Sequence, residues 1–321
     1  MTEAATPLLF VMGPTGAGKS ALALALAERL PLEIVSVDSA QVYRGFDIGT
    51  AKPHPAIRRR VPHHLVDICA PTEAYSAAQF RSDAQVAIAA IRARGRVPML
   101  VGGTGLYFRA LEQGLSDLPA ADPEVRARLQ DELARLGANA LHARLAVVDP
   151  AAAARIHPND PQRLLRALEV HALSGVSQSE MWQRARLAPH AGQIVKLVVA
   201  PGERDWLHER LALRFNLMLE RGLINEVRAL RDALGLDADA AAMRTVGYRE
   251  VWHYLAGDYA LAHMIERGII STRQLAKRQL TWLRRERDCT WLDSRDSRLL
   301  DRALLHLRNQ NVFKRVVSDL E

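Results

Sequence analysis

Leu8-Leu9-Phe10-Val11-Met12-Gly13-Pro14-Thr15-Gly16-Ala17-Gly18-Lys19-Ser20 is the stretch that decides the fold. Five consecutive apolar residues closed by glycine read as a strand buried on both faces. Ser20–Leu30 then repeats Ala and Leu at helical spacing without a breaker. Between them the eight residues from Gly13 to Ser20 fit the pattern GxxxxGK(S/T), in the strand-to-helix setting that its mechanism needs. Glycines let the chain bend so that several N–H groups point at one phosphate, and the positive end of the following helix adds to the attraction. Gly13, Pro14, Thr15, Gly16, Ala17, Gly18, Lys19 and Ser20 are therefore the expected phosphate or diphosphate site. Lys19 supplies a point charge to the terminal phosphate. The Ser20 hydroxyl is the candidate ligand for Mg²⁺, which favours oxygen donors and phosphate. The motif leaves open whether the phosphate is transferred, hydrolysed or expelled.

Outward from this loop, Glu33–Val37 reads as a second strand and Arg96–Val101 as another, closed by Gly102-Gly103-Thr104-Gly105. A helix is expected between them, from a cap at Thr72 to Ala93. Alternating strands and helices predict an α/β fold, a P-loop NTPase-like parallel sheet covered by helices. After Gly114 the strand signal vanishes. Pro123–Leu136, Ala138–Val147 and Pro161–Leu173 are Ala/Arg/Leu-rich and helical in pattern, until Ile194–Val199 returns as a β run. From Asp205 to about Arg287 the pattern is helical again. The reading is one core, residues 1–114 and 193–321, with a helical C-terminal part and a helical insertion at 115–192.

Composition narrows the chemistry. Of 321 residues 49% are hydrophobic and 25% charged, which excludes a disordered, collagen-like or coiled-coil chain. Lys and Arg exceed Asp and Glu by 43 to 36, so an acidic partner is expected: a nucleotide, a diphosphate or a nucleic acid. The excess is local, with nine basic against four acidic residues in Arg244–Arg287 and three against five in the first fifty. On a helical wheel of Ser271–Arg287, Leu275, Ala276, Gln279, Leu280, Trp282 and Leu283 share one side. Arg273, Lys277, Arg278, Thr281, Arg284 and Arg285 share the other. Such a stripe is either a polyanion footprint or an ordinary solvated face. Cys69 and Cys289 are too few and too far apart for a disulfide scaffold or a zinc finger, which favours a reducing compartment. No apolar run approaches the ~20 residues that span a membrane, and Met1–Thr6 has no basic cluster. A cytoplasmic location is expected.

Ligands of open α/β sheets gather at the carboxyl ends of strands. Asp38 follows the second strand and is either a metal ligand or general base, or a turn or helix-cap aspartate. Thr104 either orients a phosphate or base, or serves turn chemistry. A Walker-B strand is not evident; Leu65-Val66-Asp67 is the nearest approach, which counts against an ordinary ATPase. His63-His64 has no third partner to make a metal site. Asn159-Asp160-Pro161-Gln162-Arg163 opens a helix, with Arg163 and Arg166 on one face. Arg244-Thr245-Val246-Gly247-Tyr248-Arg249 sets an aromatic between arginines, where it could stack on a base. Arg210 and Arg214 are both within reach of the phosphate loop by sequence.

Taken together, Gly13–Ser20, Asp38-Ser39-Ala40-Gln41-Val42-Tyr43, Gly49-Thr50-Ala51-Lys52-Pro53, Val101-Gly102-Gly103-Thr104-Gly105-Leu106-Tyr107, Asn159–Arg163, Arg244–Arg249 and Thr272-Arg273-Gln274-Leu275-Ala276-Lys277-Arg278-Gln279 resemble the tRNA dimethylallyltransferase family, over nearly the whole chain and in the family's order. The resemblance is to the bacterial type, without the C-terminal zinc finger of eukaryotic members. It implies transfer of a dimethylallyl group from dimethylallyl diphosphate to N6 of the adenosine 3′ of the anticodon, tRNA position 37, with release of diphosphate. It implies Asp38 as the base, with Thr104 and Arg214 as further catalytic residues. It also implies a diphosphate leaving group on Gly13–Ser20 and Mg²⁺ at Ser20. The tRNA anticodon stem-loop would meet Asp38, Ser39, Ala40, Gln41, Asn159–Arg163, Arg166, Arg244–Arg249 and Thr272–Gln279, with the insertion contacting it. A monomer is expected. The competing functions are a P-loop kinase of a nucleoside or small metabolite, an isopentenyltransferase of free AMP, and an NTP-gated RNA-binding protein.

Overall fold

The computed structural model describes residues 7–116, 118–184, 190, 192–236, 240–310 and 313. Six strands, β1 (Leu8–Met12), β2 (Leu32–Val37), β3 (His63–His64), β4 (Val97–Gly102), β5 (Ile194–Ala200) and β6 (Cys289–Asp293), form one sheet in the order β3-β2-β4-β1-β5-β6. Every pairing is parallel. All residues of β1, β2 and β4 are buried, so their apolar runs need no alternation. β1 lies between β4 and β5, with Met12 opposite both Gly102 and Val198. The chain runs from β1 to β2 on one side and from β4 past β1 to β5 on the other. The carboxyl end of β1 is therefore the switch point where such sheets hold ligands.

Helices Lys19–Ala27 and Leu299–Asn309 cover one face, packing Leu22, Leu26, Ala303 and Leu307 on Leu9, Val11, Val97 and Leu197. Behind the carboxyl ends lies a second apolar cluster. It joins Val42, Tyr43 and Phe46 to Phe215, Met218, Tyr248 and Met264 from helices Arg204–Glu220, Tyr248–Ala256 and Leu261–Leu283.

Two expectations change, and two strands appear that the sequence did not announce. The helix expected from Thr72 begins at Ala77, because Ser76 and Gln79 form a capping box there. The helical reading to about Arg287 ends at Leu283, and β6 follows. Only Leu292 of β6 is buried, so this edge strand carries almost no apolar signal. β3 is two residues long, too short for any periodicity.

The chain divides into two compact units, Met1–Ala110 with Gly192–Glu321, and Leu111–Ala191. The second is built of helices around Leu129, Leu141, Leu145, Leu164 and Leu168. Three of them start at Asp-Pro steps: Asp122-Pro123, Asp149-Pro150 and Asp160-Pro161. Each aspartate caps the N–H groups that the new helix leaves unpaired, and each proline presets the first turn. Buried Glu169 ties this unit together by accepting from the Asp122 N–H, Arg126 and Arg166.

Candidate active site

Three neighbouring strand ends meet at the site: the phosphate loop after β1, Asp38 after β2 and Thr104 after β4. Gly18 caps helix Lys19–Ala27 at φ +87°, a conformation that glycine adopts without steric cost. The loop rests on a neighbouring helix, since a Cβ on Gly16 would lie 2.7 Å from the Leu211 side chain. The Lys19 ammonium donates to the Pro14 carbonyl at 3.2 Å. Burial lowers its pKa to about 8; Asp38 draws it up and Arg214 pushes it down. Lys19, Asp38 and Arg214 thus share one electrostatic neighbourhood. Arg210 stacks on the Trp206 ring, at 5.2 Å, while Arg214 lies beside Thr15 of the loop.

The Asp38 Oδ1 accepts the N–H groups of Ala40 and Gln41 at 2.9 and 3.3 Å. Asp38 thus fills the turn role that was one of its two expected readings. Thr104 Oγ1 accepts from the Ser39 N–H at 3.3 Å, fastening the Gly-rich loop to the Asp38 loop. Gln41 is spent inside the protein: its amide accepts from Ser36 Oγ and donates to the Thr50 carbonyl. An apolar cleft opens beside Thr15 and Arg214, walled by Phe215, Met218, Leu223 and Val246.

Other residues expected to face RNA lie elsewhere. Tyr248 is fully buried, stacked on Phe46 at 4.2 Å, with its hydroxyl on Glu226, so it cannot stack on a base. Gly247 is buried with it, while Thr245 and Val246 are half-buried. Arg249 is bound through its Nε and a terminal nitrogen to buried Glu250, yet like Arg244 it stays exposed. Arg166 is drawn inward to Glu169 and the Pro119 carbonyl, whereas Asn159, Pro161, Gln162 and Arg163 are exposed and Asp160 caps their helix. On helix Leu261–Leu283, Gln274, Lys277 and Arg278 are exposed; Thr272, Arg273 and Leu275 are half-buried; Ala276 is buried against Leu207 and Leu211. The Gln279 amide reaches the phosphate loop, accepting the Thr15 N–H at 2.7 Å.

Asp67 is no Walker-B acid: it binds Lys52 and Arg58. His64 Nε2 donates to Glu33, whose carboxyl stays below the usual range because hydrogen bonds from Arg94 and His64 outweigh its burial. Neither histidine belongs to a metal cluster, and none of three or more His, Cys, Asp or Glu exists among the described residues. Glu226 carried no sequence signal. Its carboxylate accepts the N–H groups of Asp47, Ile48 and Gly49 and so holds the Gly49–Pro53 segment. Among the described residues no helix is long and apolar enough to cross a membrane.

The pKa of Lys19 has a measurable consequence. In the unfolded chain this lysine titrates near 10.5 and in the folded one near 8. Below about pH 8 both states are protonated and the buried charge costs stability in full; the cost is relieved as pH rises from about 8 towards 10.5. Ligand binding runs the other way. Affinity for inorganic diphosphate should fall as pH passes through about 8, by up to roughly tenfold at pH 9. Lys19→Arg, always charged, should flatten the profile. Calorimetric titration between pH 7 and 9.5 checks this, and a flat wild-type profile contradicts it.

A family model described as IPP transferase matches residues 41–286. The tRNA dimethylallyltransferase of Halorhodospira halophila is 59% identical over 283 residues, 88% of this chain and 91% of that protein. The chain belongs to the IPP transferase family. A model described as isopentenyl transferase also matches residues 6–61. The tRNA dimethylallyltransferase of Alkalilimnicola ehrlichii is 59% identical, with 91% and 92% of the two chains covered. Among solved structures, the full-length tRNA isopentenylpyrophosphate transferase of Bacillus halodurans superposes with a TM-score of 0.68 at 38% identity, covering 98% of each chain. A eukaryotic dimethylallyltransferase acting on tRNA gives 0.76 at 27% identity, covering 98% of this chain and 78% of the other. The phosphate loop and the Asp38 loop are thus features of an IPP transferase, and the competing P-loop kinase reading is not favoured.

Proposed function

We propose that this protein transfers a dimethylallyl group from dimethylallyl diphosphate to N6 of the adenosine immediately 3′ of the anticodon in tRNA. The observation that carries the reading is the meeting of a phosphate loop with a carboxylate, Asp38, on the next strand end but one, in place of a Walker-B acid. A kinase needs metal-holding carboxylates for a triphosphate; an alkyl transferase needs a cradle for the departing diphosphate and a base for the nucleophile.

The step balances as follows. The N6 lone pair attacks the allylic carbon, the carbon–oxygen bond breaks, and diphosphate leaves with the bonding electrons. The N6 proton passes to Asp38, whose Oδ1 already holds two backbone N–H groups; Oδ2 is the oxygen assigned to the proton. Lys19, Arg214 and the backbone N–H groups of Gly13–Ser20 stabilise the charge that gathers on the leaving group. Thr104 keeps the Asp38 loop in register. The cleft walled by Phe215, Met218 and Leu223 suits the branched apolar tail and shields the allylic carbon from water. The donor set fits Mg²⁺ as well. The exposed Ser20 hydroxyl beside the phosphate cradle would give such an ion one protein oxygen, with phosphate oxygens and water completing its shell. Bound there, it would neutralise charge on the diphosphate.

Lys277, Arg278 and Arg284 on one exposed helical face, with Arg244, Asn159, Gln162 and Arg163, supply contacts for the anticodon stem-loop. The target adenine must leave its stack to reach Asp38, which costs least in a single-stranded loop. A cytoplasmic, monomeric enzyme completes the reading. The test is a transfer assay with Mg²⁺, labelled dimethylallyl diphosphate and an unmodified anticodon stem-loop, with AMP in parallel. Label in the stem-loop alone is expected. Label in AMP at comparable rates, or in neither, would sink the assignment.

A further inference from the structure

Gln279 lies in the segment that resemblance assigns to tRNA, yet its amide is committed elsewhere. Its Oε1 accepts the Thr15 N–H of the phosphate loop at 2.7 Å, and its Nε2 donates to the Gly103 carbonyl at 3.2 Å. Both partners are remote in sequence, by 264 and 176 positions. Gly103 permits the approach, because a Cβ there would stand 2.3 Å from that same Nε2. One turn on, Trp282 lies flat against Gly105, where a Cβ would come within 2.5 Å of the indole. Between these two glycines sits Thr104, whose hydroxyl holds the Ser39 N–H next to Asp38. One side chain therefore joins the diphosphate cradle to the loop that fastens the base.

We propose that Gln279 is a positioning residue for prenyl transfer, fixing the distance between the diphosphate cradle and the Asp38–Thr104 pair. The inference rests on the proposed transfer reaction. Its physical basis is that leaving group and base act on opposite ends of one displacement, so an error in their separation enters the rate directly. A misplacement of about 1 Å can cost two orders of magnitude. A primary amide suits this post: one end accepts, the other donates, and neither carries a charge that would repel diphosphate. A glutamate would accept from Thr15 but could not donate to Gly103, and would put a negative charge beside the cradle.

The experiment compares wild type, Gln279→Leu and Gln279→Glu for melting temperature, affinity for inorganic diphosphate with Mg²⁺, stem-loop affinity, and single-turnover transfer. Gln279→Leu should transfer roughly 10- to 100-fold more slowly, with stem-loop affinity unchanged within twofold. Gln279→Glu should add a loss of diphosphate affinity greater than that of the leucine variant, and this loss should shrink at high salt. A leucine variant with wild-type transfer, or a defect confined to stem-loop affinity, overturns the proposal; the second outcome would return Gln279 to the RNA surface. If wild type transfers nothing, the reaction assignment fails. Gln279 is then judged on diphosphate affinity alone, where equal values in all three proteins reject its link to the cradle.

Discussion

Asp38→Asn should slow single-turnover prenyl transfer by about 10²–10⁴-fold while leaving stem-loop affinity within a few-fold of wild type. Asparagine is chosen because it keeps an oxygen where Oδ1 stands. The N–H groups of Ala40 and Gln41 stay satisfied, and the turn that carries Ser39 to Thr104 survives. What disappears is the ability to take a proton and the negative charge beside Lys19. Those two losses separate by pH. Asp38 raises the Lys19 pKa against burial, so without it the loss of diphosphate affinity should move to lower pH. If the transfer defect persisted at a pH where Lys19 is charged in both proteins, proton acceptance would be the function lost. A near-normal rate there would remove Asp38 from the chemistry and leave it as a turn residue.

The largest expected effect on stability belongs to Glu226→Ala. The substitution takes one carboxylate away from three backbone N–H groups at Asp47, Ile48 and Gly49 and from the buried hydroxyl of Tyr248. The phenol cannot reach water, and its burial beside Glu226 keeps it protonated and in need of an acceptor. Unsatisfied groups of this kind cost about 1–3 kcal/mol each. The N–H groups nearer the surface recover some of that from water, so a total of about 3 kcal/mol is expected, roughly 5–10 °C in Tm. Glu226→Gln keeps an acceptor oxygen and should lose less than half as much. Thermal unfolding of the two variants decides it; an unchanged Tm in the alanine variant would mean that the Gly49–Pro53 segment is held by Lys52 and its partners alone.

What the sequence made legible follows one rule: chemistry held within a few consecutive residues can be read, and chemistry assembled across the chain cannot. Gly13–Ser20 declares itself because backbone donors need adjacent residues. The wheel of Ser271–Arg287 is legible because helical period and burial coincide, from Ala276 and Leu283 inside to Lys277 and Arg285 outside. Glu226 was invisible, being one acid on an ordinary amphipathic helix whose partners lie 177 to 179 positions earlier. Tyr248 misled in the opposite sense. An aromatic flanked by arginines has the composition of a base-stacking site, but Arg249 turns to Glu250 while the ring fills the gap between Phe46 and Gly49. Arg166 did the same, sharing a helical face with Arg163 on the wheel and yet bound to buried Glu169. Likewise β6 escaped, because an edge strand with one buried residue has no pattern to show.

The order of strands also bears on how the protein is made. β1 leaves the ribosome well before its β5 neighbour, which lies beyond the whole of Leu111–Ala191, and Gln279 comes later still. At ~5–20 residues per second, some ten seconds or more separate synthesis of the phosphate loop from arrival of Gln279. Until β5 is made, β1 has an unpaired edge, the kind that invites association between nascent chains. A truncated or stalled product would have the whole phosphate-binding motif and no working cradle, so a fragment ending before Gln279 should not compete with the complete enzyme for its prenyl donor.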